Sequence, residues 1–465
     1  AREMGCTLSD LLHPFSLSIK GKNIRVGVTV CEDLWEDEYF DKPSHIYNKK
    51  NVDLLIDISQ SPWTAEKWRA RDRMLTKRSR SANTPILYVN SVGLQNNTKN
   101  LVWFDGNSAL ISEKGEFLWR APQHEVNLSL ITLGMRSKKK VRGHTTGIEE
   151  IYEATLSAMR EFFAPFPRIV VGLSGGIDSA VSLGLLTHAL GAKKVLAVNM
   201  PTRYNSETTQ DLAERCAKNF DVEYKVVPIE QLYEMTLMTL ERAGYSNPSM
   251  FVRENVQARI RGKTLADIAA CENGVVINNG NKTEIALNYF TLYGDAIGAG
   301  AFLGDLWKRQ VYELARFINK KEGYEAIPKG ILDLVPSAEL SPEQNVDEGK
   351  GDPIFYPYHD ELLRMFTESR WDPTEVMKRV IAGTLEKDIN CASGTLKKYF
   401  KTRKDFIENL EWAWRQYNIE YKRHQLPPVF IASRRAFGFD RRSTIANGFT
   451  TKEYTRLRTQ YLKKK

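Results

Sequence analysis

Hydrophobic positions along the chain fall into short continuous runs separated by amphipathic stretches, which is the pattern of alternating strands and helices. Residues 24–30, IRVGVTV, form a β-branched run that predicts a buried strand ending at Cys31. VDLLIDIS (52–59), PILYVNSV (85–92) and NSALIS (107–112) predict further strands, and the charged segment 64–83 predicts a helix between two of them. A second α/β region follows the helix predicted over IEEIYEATLSAMREFFAPF. RIVVGL (168–173) predicts a strand, SGGIDS a loop, and AVSLGLLTHAL an apolar helix that Gly191 can end in the left-handed conformation. VLAVNMP (195–201), VEYKVVPI and GVVINNG (274–280) predict three more strands, with Ser206 as the N-cap of a helix between the first two. Strand–helix alternation at this spacing predicts parallel βαβ units, which place ligands at the carboxyl ends of the strands. From about residue 370 the pattern becomes helical and polar, as in an appended helical region.

Composition narrows the class. A chain of 465 residues is too long for one core, and 42% hydrophobic with 26% charged residues is ordinary for a globular protein. No run approaches the roughly 20 apolar residues of a membrane helix, and no export signal is visible, so no membrane association is expected. Five cysteines (Cys6, Cys31, Cys216, Cys271 and Cys391) are scattered without CxxC spacing. That pattern argues against disulfides and structural zinc and fits a cytoplasmic setting. The net charge of +9 is concentrated in part in RSKKKVR (136–142) and the terminal YLKKK. No nucleic-acid signature accompanies these runs, so an anionic small substrate accounts for the charge and nucleic acid is not expected as a partner.

The chemistry begins at VVGLSGGIDSAV (170–181). Glycine-rich turns between a strand and a helix collect unsatisfied N–H groups and the positive end of a helix dipole, which favours an anion. Gly172, Ser174, Gly175, Gly176 and Ser179 form this turn, and Asp178 suits a phosphate site only if a divalent cation lies between them. GxGxxG is absent, as is GxxxxGK(S/T), so neither a dinucleotide fingerprint nor a Walker loop is present.

The loop resembles the pyrophosphate loop of the ATP pyrophosphatases (adenine nucleotide alpha hydrolase-like enzymes), which grip the β- and γ-phosphates while a substrate carboxylate attacks the α-phosphorus. Within that group, five blocks in order resemble NAD synthetases: RENVQARIRG (253–262), NNGNKTEIALNYFTLYGD (278–295), GDLWKRQVYELA (304–315), PSAEL (336–340) and NVDEGKGDPIFYPYHD (345–360). The last is similar to the glutamine-dependent branch. The resemblance implies that Glu284 is the second Mg²⁺ carboxylate beside Asp178. It places Asn255, Arg259, Glu284, Tyr289, Asp295 and Lys422 at deamido-NAD, and Asn279, Lys308 and Ser337 with the loop at ATP. Phe290 and Tyr293 are candidates for ring stacking. Leu292 stands where the family pattern has lysine, which removes one charged contact.

The first region resembles the nitrilase-like amidases, through CEDLW at Cys31, DISQSPW, YVNSVG and FDGNS. That family uses a Glu–Lys–Cys triad, because only the thiolate is a competent nucleophile. The resemblance makes Cys31 the nucleophile and puts Ser61 and Lys67 at the glutamine. The family's Glu and Lys lie well before the cysteine, whereas only 30 residues precede Cys31, and none of these takes either role. The expected architecture is an incomplete nitrilase-like α-β-β-α domain at 1–140, its N-terminal part absent, then a parallel-sheet ATP-pyrophosphatase domain at 148–465 with a helical appendage. The implied substrates are ATP with Mg²⁺, deamido-NAD and glutamine, and a homo-oligomer is expected. Another adenylating amidotransferase or tRNA-modifying enzyme remains open on the loop alone. The missing Glu and Lys also leave open a non-catalytic amidase region used for oligomerisation.

Overall fold

The computed structural model describes residues 5–19, 21–97, 99–132, 134, 141–437 and 449–463. Residues 136–140 of the basic run and 464–465 of the terminal one lie outside the described residues. The chain forms two compact units, residues 1–95 with 102–161, and residues 96–101 with 162–465. Among the described residues no helix is long and apolar enough to cross a membrane.

The first unit holds a six-stranded sheet. Its centre is three parallel strands, Lys22–Val30, Leu54–Ser59 and Ile86–Asn90, in register Val30↔Ile58 and Ile58↔Val89. Phe15–Ile19 adds antiparallel at one edge, and Ala109–Ile111 and Phe117–Arg120 add antiparallel at the other. Helices Pro43–Lys49 and Lys67–Ala82 cover one face, around a core of Leu34, Tyr47, Leu55, Met74, Leu75, Ile86 and Tyr88. The β-branched runs thus form the strands expected of them. The edge strand Phe15–Ile19 has all five residues exposed, so it carries no burial pattern from which to be predicted.

In the second unit parallel strands lie in the order Glu223–Val226, Val195–Asn199, Ile169–Gly172, Val275–Asn278, Gly300–Ala301 and Val429–Phe430. The helix after the glycine loop runs Ile177–Leu190 and is apolar on nearly all sides because it is buried. It starts three residues before the apolar run, so that Asp178 and Ser179 lie in its first turn. Gly191 ends it at φ +84°, ψ +148°, a positive φ that favours glycine, but with a ψ outside the left-handed helical conformation expected of the cap. The next helix, Glu207–Asn219, buries Thr209, Leu212, Ala213, Cys216 and Ala217 on one stripe, and Ser206 caps it by accepting from Thr209 N–H. The helical region begins earlier than 370, with Tyr356–Glu368, and packs around Leu362, Leu363, Phe366, Phe406 and Leu410.

Candidate functional site

The carboxyl ends of the strands in the second unit open into a cavity of about 430 Å³. Gly172 ends strand Ile169–Gly172, and the loop turns through Ser174–Gly176 into the helix Ile177–Leu190. Gly175 has φ +85°, and a Cβ there would lie 2.1 Å from the Thr209 carbonyl oxygen. Only glycine fits this close approach. Ser174 Oγ accepts from Gly176 N–H at 3.2 Å, and Ser179 Oγ donates to the Gly176 carbonyl at 2.9 Å, so the side chains brace the loop from within.

Opposite the loop, strand Val275–Asn278 delivers Asn279 and the short helix Lys282–Ala286. Asn281 caps that helix, accepting from Thr283 and Glu284 N–H while Glu284 reaches back to Asn281 N–H. This capping box aims two side chains at the loop. Asn281 Nδ2 donates to Asp178 Oδ1 at 2.9 Å, and Glu284 faces Lys308, the first residue of helix Lys308–Glu322. Lys308 Nζ lies 2.5 Å from Asp178 Oδ2 and 3.3 Å from Glu284 Oε1. Burial disfavours its ammonium, but Asp178 and Glu284 outweigh that and hold its pKa above the ordinary lysine value. Burial raises the Glu284 carboxyl, against the opposing charge of Lys308 and with Asp178 and Asp352 adding to the rise. Two hard carboxylates converging on one cationic point are a donor set suited to Mg²⁺.

The structure gathers most of the residues singled out from the sequence. Gly172, Ser174, Gly176, Asp178, Ser179, Asn255, Asn279, Glu284, Tyr289, Phe290, Asp295, Lys308, Ser337 and Lys422 all line the cavity. Asn279 Nδ2 donates to the Gly172 carbonyl at 2.9 Å while its Oδ1 is buried without a partner. Ser337 Oγ donates to the Gln344 carbonyl, and Asn255 Oδ1 accepts from Thr291 Oγ1. Lys422 Nζ donates to the carbonyls of Asn288 and Phe290, and burial lowers its pKa. Asp295 accepts from Thr291 N–H, and burial raises it.

Two of the expected residues stand elsewhere. Arg259 is exposed and outside the lining, with Nε donating to the Leu292 carbonyl. Arg261, two residues on, is the arginine that lines the cavity; burial lowers it to about 10. Tyr293 is 68% exposed and donates to Gln425, outside the cavity. A two-residue step on a helix turns the side chain through about 200°, which sequence spacing alone does not locate on a face. Asn281, Asp352 and Tyr356 were missed. Asn281 was legible as the N-cap of NKTE, whereas Asp352 and Tyr356 reach the site only through the chain's return.

In the first unit Cys31 follows the central strand Lys22–Val30 and opens a single 3₁₀ turn, Cys31–Leu34, at φ +46°. A non-glycine residue in this region is strained, and such strain concentrates at functional positions. Arg78 Nε donates to the Leu34 carbonyl at 2.7 Å, and buried Glu36 accepts from Ser44, so the turn is anchored from behind. Ser61 is buried, its N–H donating to Asn90 Oδ1 at 2.9 Å. Lys67 heads helix Lys67–Ala82 and donates to the Pro62 carbonyl. Burial and Arg71 lower its pKa to about 8, opposed by the charges of Asp105, Cys31 and Glu32. Glu150, fully buried, accepts from Trp63 Nε1 at 3.0 Å and from Glu66 N–H, which fixes the turn between Ser61 and Lys67.

The sequence model of the family described as NAD synthase matches residues 153–403, and that of carbon-nitrogen hydrolases matches residues 7–141. The glutamine-dependent NAD(+) synthetase of Synechocystis sp. is 32% identical over 450 residues, covering 92% of this chain and 74% of the relative. That of Thermotoga maritima is 30% identical, covering 93% and 76%. A solved structure of glutamine-dependent NAD+ synthetase from Acinetobacter baumannii in complex with adenosine diphosphate superposes with a TM-score of 0.64 at 27% identity, covering 94% of this chain and 75% of that one. A glutamine-dependent NAD(+) synthetase from Cytophaga hutchinsonii shares the fold, with a TM-score of 0.71 at 17% identity over 97% and 77% of the two chains.

Proposed function

Since the chain belongs to the glutamine-dependent NAD(+) synthetase family, we propose that its second unit makes NAD by adenylating the nicotinate carboxylate of deamido-NAD with ATP and replacing the adenylate by ammonia. The convergence of Asp178, Glu284 and Lys308 beside the glycine loop carries this reading. The carboxylate oxygen attacks the α-phosphorus, the bond to the bridging oxygen breaks, and pyrophosphate leaves. Ammonia then attacks the acyl carbon, AMP departs with the C–O electron pair, and the nitrogen gives up a proton.

The loop residues Ser174–Ser179 hold the departing phosphates through main-chain N–H groups and the helix N-terminus. Mg²⁺ held by Asp178 and Glu284 would supply neutralisation of the triphosphate charge. Asn281 orients Asp178, and Lys308 offers its ammonium to the phosphates. Asp295, Lys422 and the ring of Phe290 form the wall we assign to the nicotinate end, with Asn255 contacting the dinucleotide. In the first unit Cys31 is the proposed nucleophile toward glutamine, with Ser61 and Lys67 binding it. The division into an amidase part, 1–140, and a synthetase part, 148–465, belongs to the same proposal, as do a homo-oligomer and a cytoplasmic setting.

ATP–pyrophosphate exchange, run with and without deamido-NAD, tests the reading. Exchange that requires deamido-NAD and disappears in Asp178→Ala is expected. Exchange indifferent to deamido-NAD, or near wild-type rates in the variant, would overturn it.

A further inference from the structure

Asp352 lines the same cavity, in a stretch outside any helix or strand. Three donors reach its carboxylate: the Tyr289 hydroxyl at 3.2 Å and the Ala338 N–H at 3.2 Å on Oδ1, and the Tyr356 hydroxyl at 3.1 Å on Oδ2. Tyr289 in turn accepts from Gln344 Nε2 at 3.0 Å, so its own hydrogen is committed to Asp352. The Tyr356 oxygen also lies 3.4 Å from Glu284 Oε1, and the Lys308 ammonium sits 4.8 Å from the Tyr356 ring centroid. A phenol has one hydrogen, and two acids compete for this one. The shorter contact gives it to Asp352. Glu284 then receives nothing from Tyr356, and its other contacts, Lys308 Nζ and Asn281 N–H, are both at 3.3 Å. A carboxylate so short of close donors has lone pairs to spare for a cation, and a second negative charge stands behind it.

We propose that Asp352 is a positioning residue of the adenylation site: by holding the hydroxyl hydrogens of Tyr356 and Tyr289 it keeps the Glu284 carboxylate undersupplied with donors and available, with Asp178, to a divalent cation. The inference rests on the adenylation reading and assigns Asp352 no direct contact with metal or substrate. Asparagine at this position would offer a carboxamide N–H to the Tyr356 oxygen, freeing the phenol hydrogen to turn onto Glu284. The cation would then meet a carboxylate already satisfied.

The test is Mn²⁺ binding to the full chain in the presence of α,β-methylene-ATP, read by electron paramagnetic resonance, beside the Mg²⁺ dependence of pyrophosphate release. Asp352→Asn is expected to weaken Mn²⁺ binding about tenfold and raise the half-saturating Mg²⁺ by a similar factor, with KM for deamido-NAD unchanged. The double variant Asp352→Asn/Tyr356→Phe is expected to recover part of that loss, because the hydroxyl that turned onto Glu284 is gone. A structural role alone predicts no such recovery. Unchanged Mn²⁺ affinity in Asp352→Asn, or a double variant no better than the single, overturns the proposal. Asp352→Ser, which also releases the Tyr356 hydrogen, is expected to show the same loss and serves if asparagine is not tolerated. Wild-type protein that binds Mn²⁺ yet releases no pyrophosphate with deamido-NAD would overturn the adenylation reading instead.

Discussion

Lys308 holds the point between Asp178 and Glu284, with its ammonium 2.5 Å from one carboxylate and 3.3 Å from the other. Before any nucleotide arrives, that ammonium and a divalent cation compete for the same oxygens. Lys308→Met removes the competitor, so nucleotide-free Mn²⁺ binding should tighten about tenfold, a gain visible by paramagnetic resonance. Pyrophosphate release should nevertheless fall about 100-fold, because the triphosphate loses the cation meant for it. Weaker Mn²⁺ binding in the variant would show that the lysine does not occupy the cation position. Gly175 is constrained differently. Its φ of +85° costs a side chain about 1–2 kcal/mol, and the 2.1 Å approach to the Thr209 carbonyl adds a backbone clash. Gly175→Ala should lower the melting temperature and abolish pyrophosphate exchange together, whereas Gly191→Ala, whose Cβ meets open space, should cost stability alone.

At the scale of elements, the parallel strands of the first unit bury a carboxylate that the mechanism does not use. Asp57 on Leu54–Ser59 accepts from Thr29 Oγ1 at 2.7 Å and Ser59 Oγ at 2.6 Å, and burial pushes its pKa up to about 6. Glu150, behind the Ser61–Lys67 turn, is likewise raised by burial to about 7. Both folded pKa values exceed the unfolded ones, so the folded state binds more protons and stability falls as pH rises between about 4 and 7. For Asp57 the effect reaches up to about 3 kcal/mol. The first unit should therefore melt higher at pH 5 than at pH 8, and Asp57→Asn should flatten that slope in scanning calorimetry. A slope unchanged by the substitution would remove Asp57 as its source. The strands that carry this site were legible because their β-branched runs are continuous, as in IRVGVTV, and burial agrees with sequence there. Gly175 and the Asn281 cap were readable for the same reason, since local backbone demand selects the residue type. Arg261 was not distinguishable from Arg259, because the helix face depends on which neighbour packs closely. Here Gly262 and Gly294 let the helix and the 293–294 turn approach closely, a tertiary contact that spacing along the chain does not announce. Asp352 had no local signature at all: its partners Tyr289, Ala338 and Tyr356 meet only through tertiary folding.

At the scale of the whole molecule, the proposed function assigns one chemistry to each of the two compact units. Cys31 belongs to one, on a strained turn at a strand end, and Asp178 belongs to the other, in the first turn of a buried helix. Among the described residues, those lining the cavity beside the glycine loop run from Gly172 to Leu426, all within the second unit. Nitrogen supply and carboxylate activation should therefore separate under mutation. In protein that also carries the amidase Glu and Lys, Cys31→Ala should leave NAD formation from free ammonium within about twofold of the parent, the range expected when no transition-state contact is removed, while glutamine-supported formation is lost. Asp178→Ala should abolish synthesis from either nitrogen source, because both depend on the same adenylate. Measuring NAD formed with ammonium and with glutamine for the wild type and both variants closes the comparison. Equal loss from both nitrogen sources in Cys31→Ala would mean that the first unit supports the second structurally, and the two-site scheme would fail. Loss confined to glutamine would locate nitrogen release at Cys31.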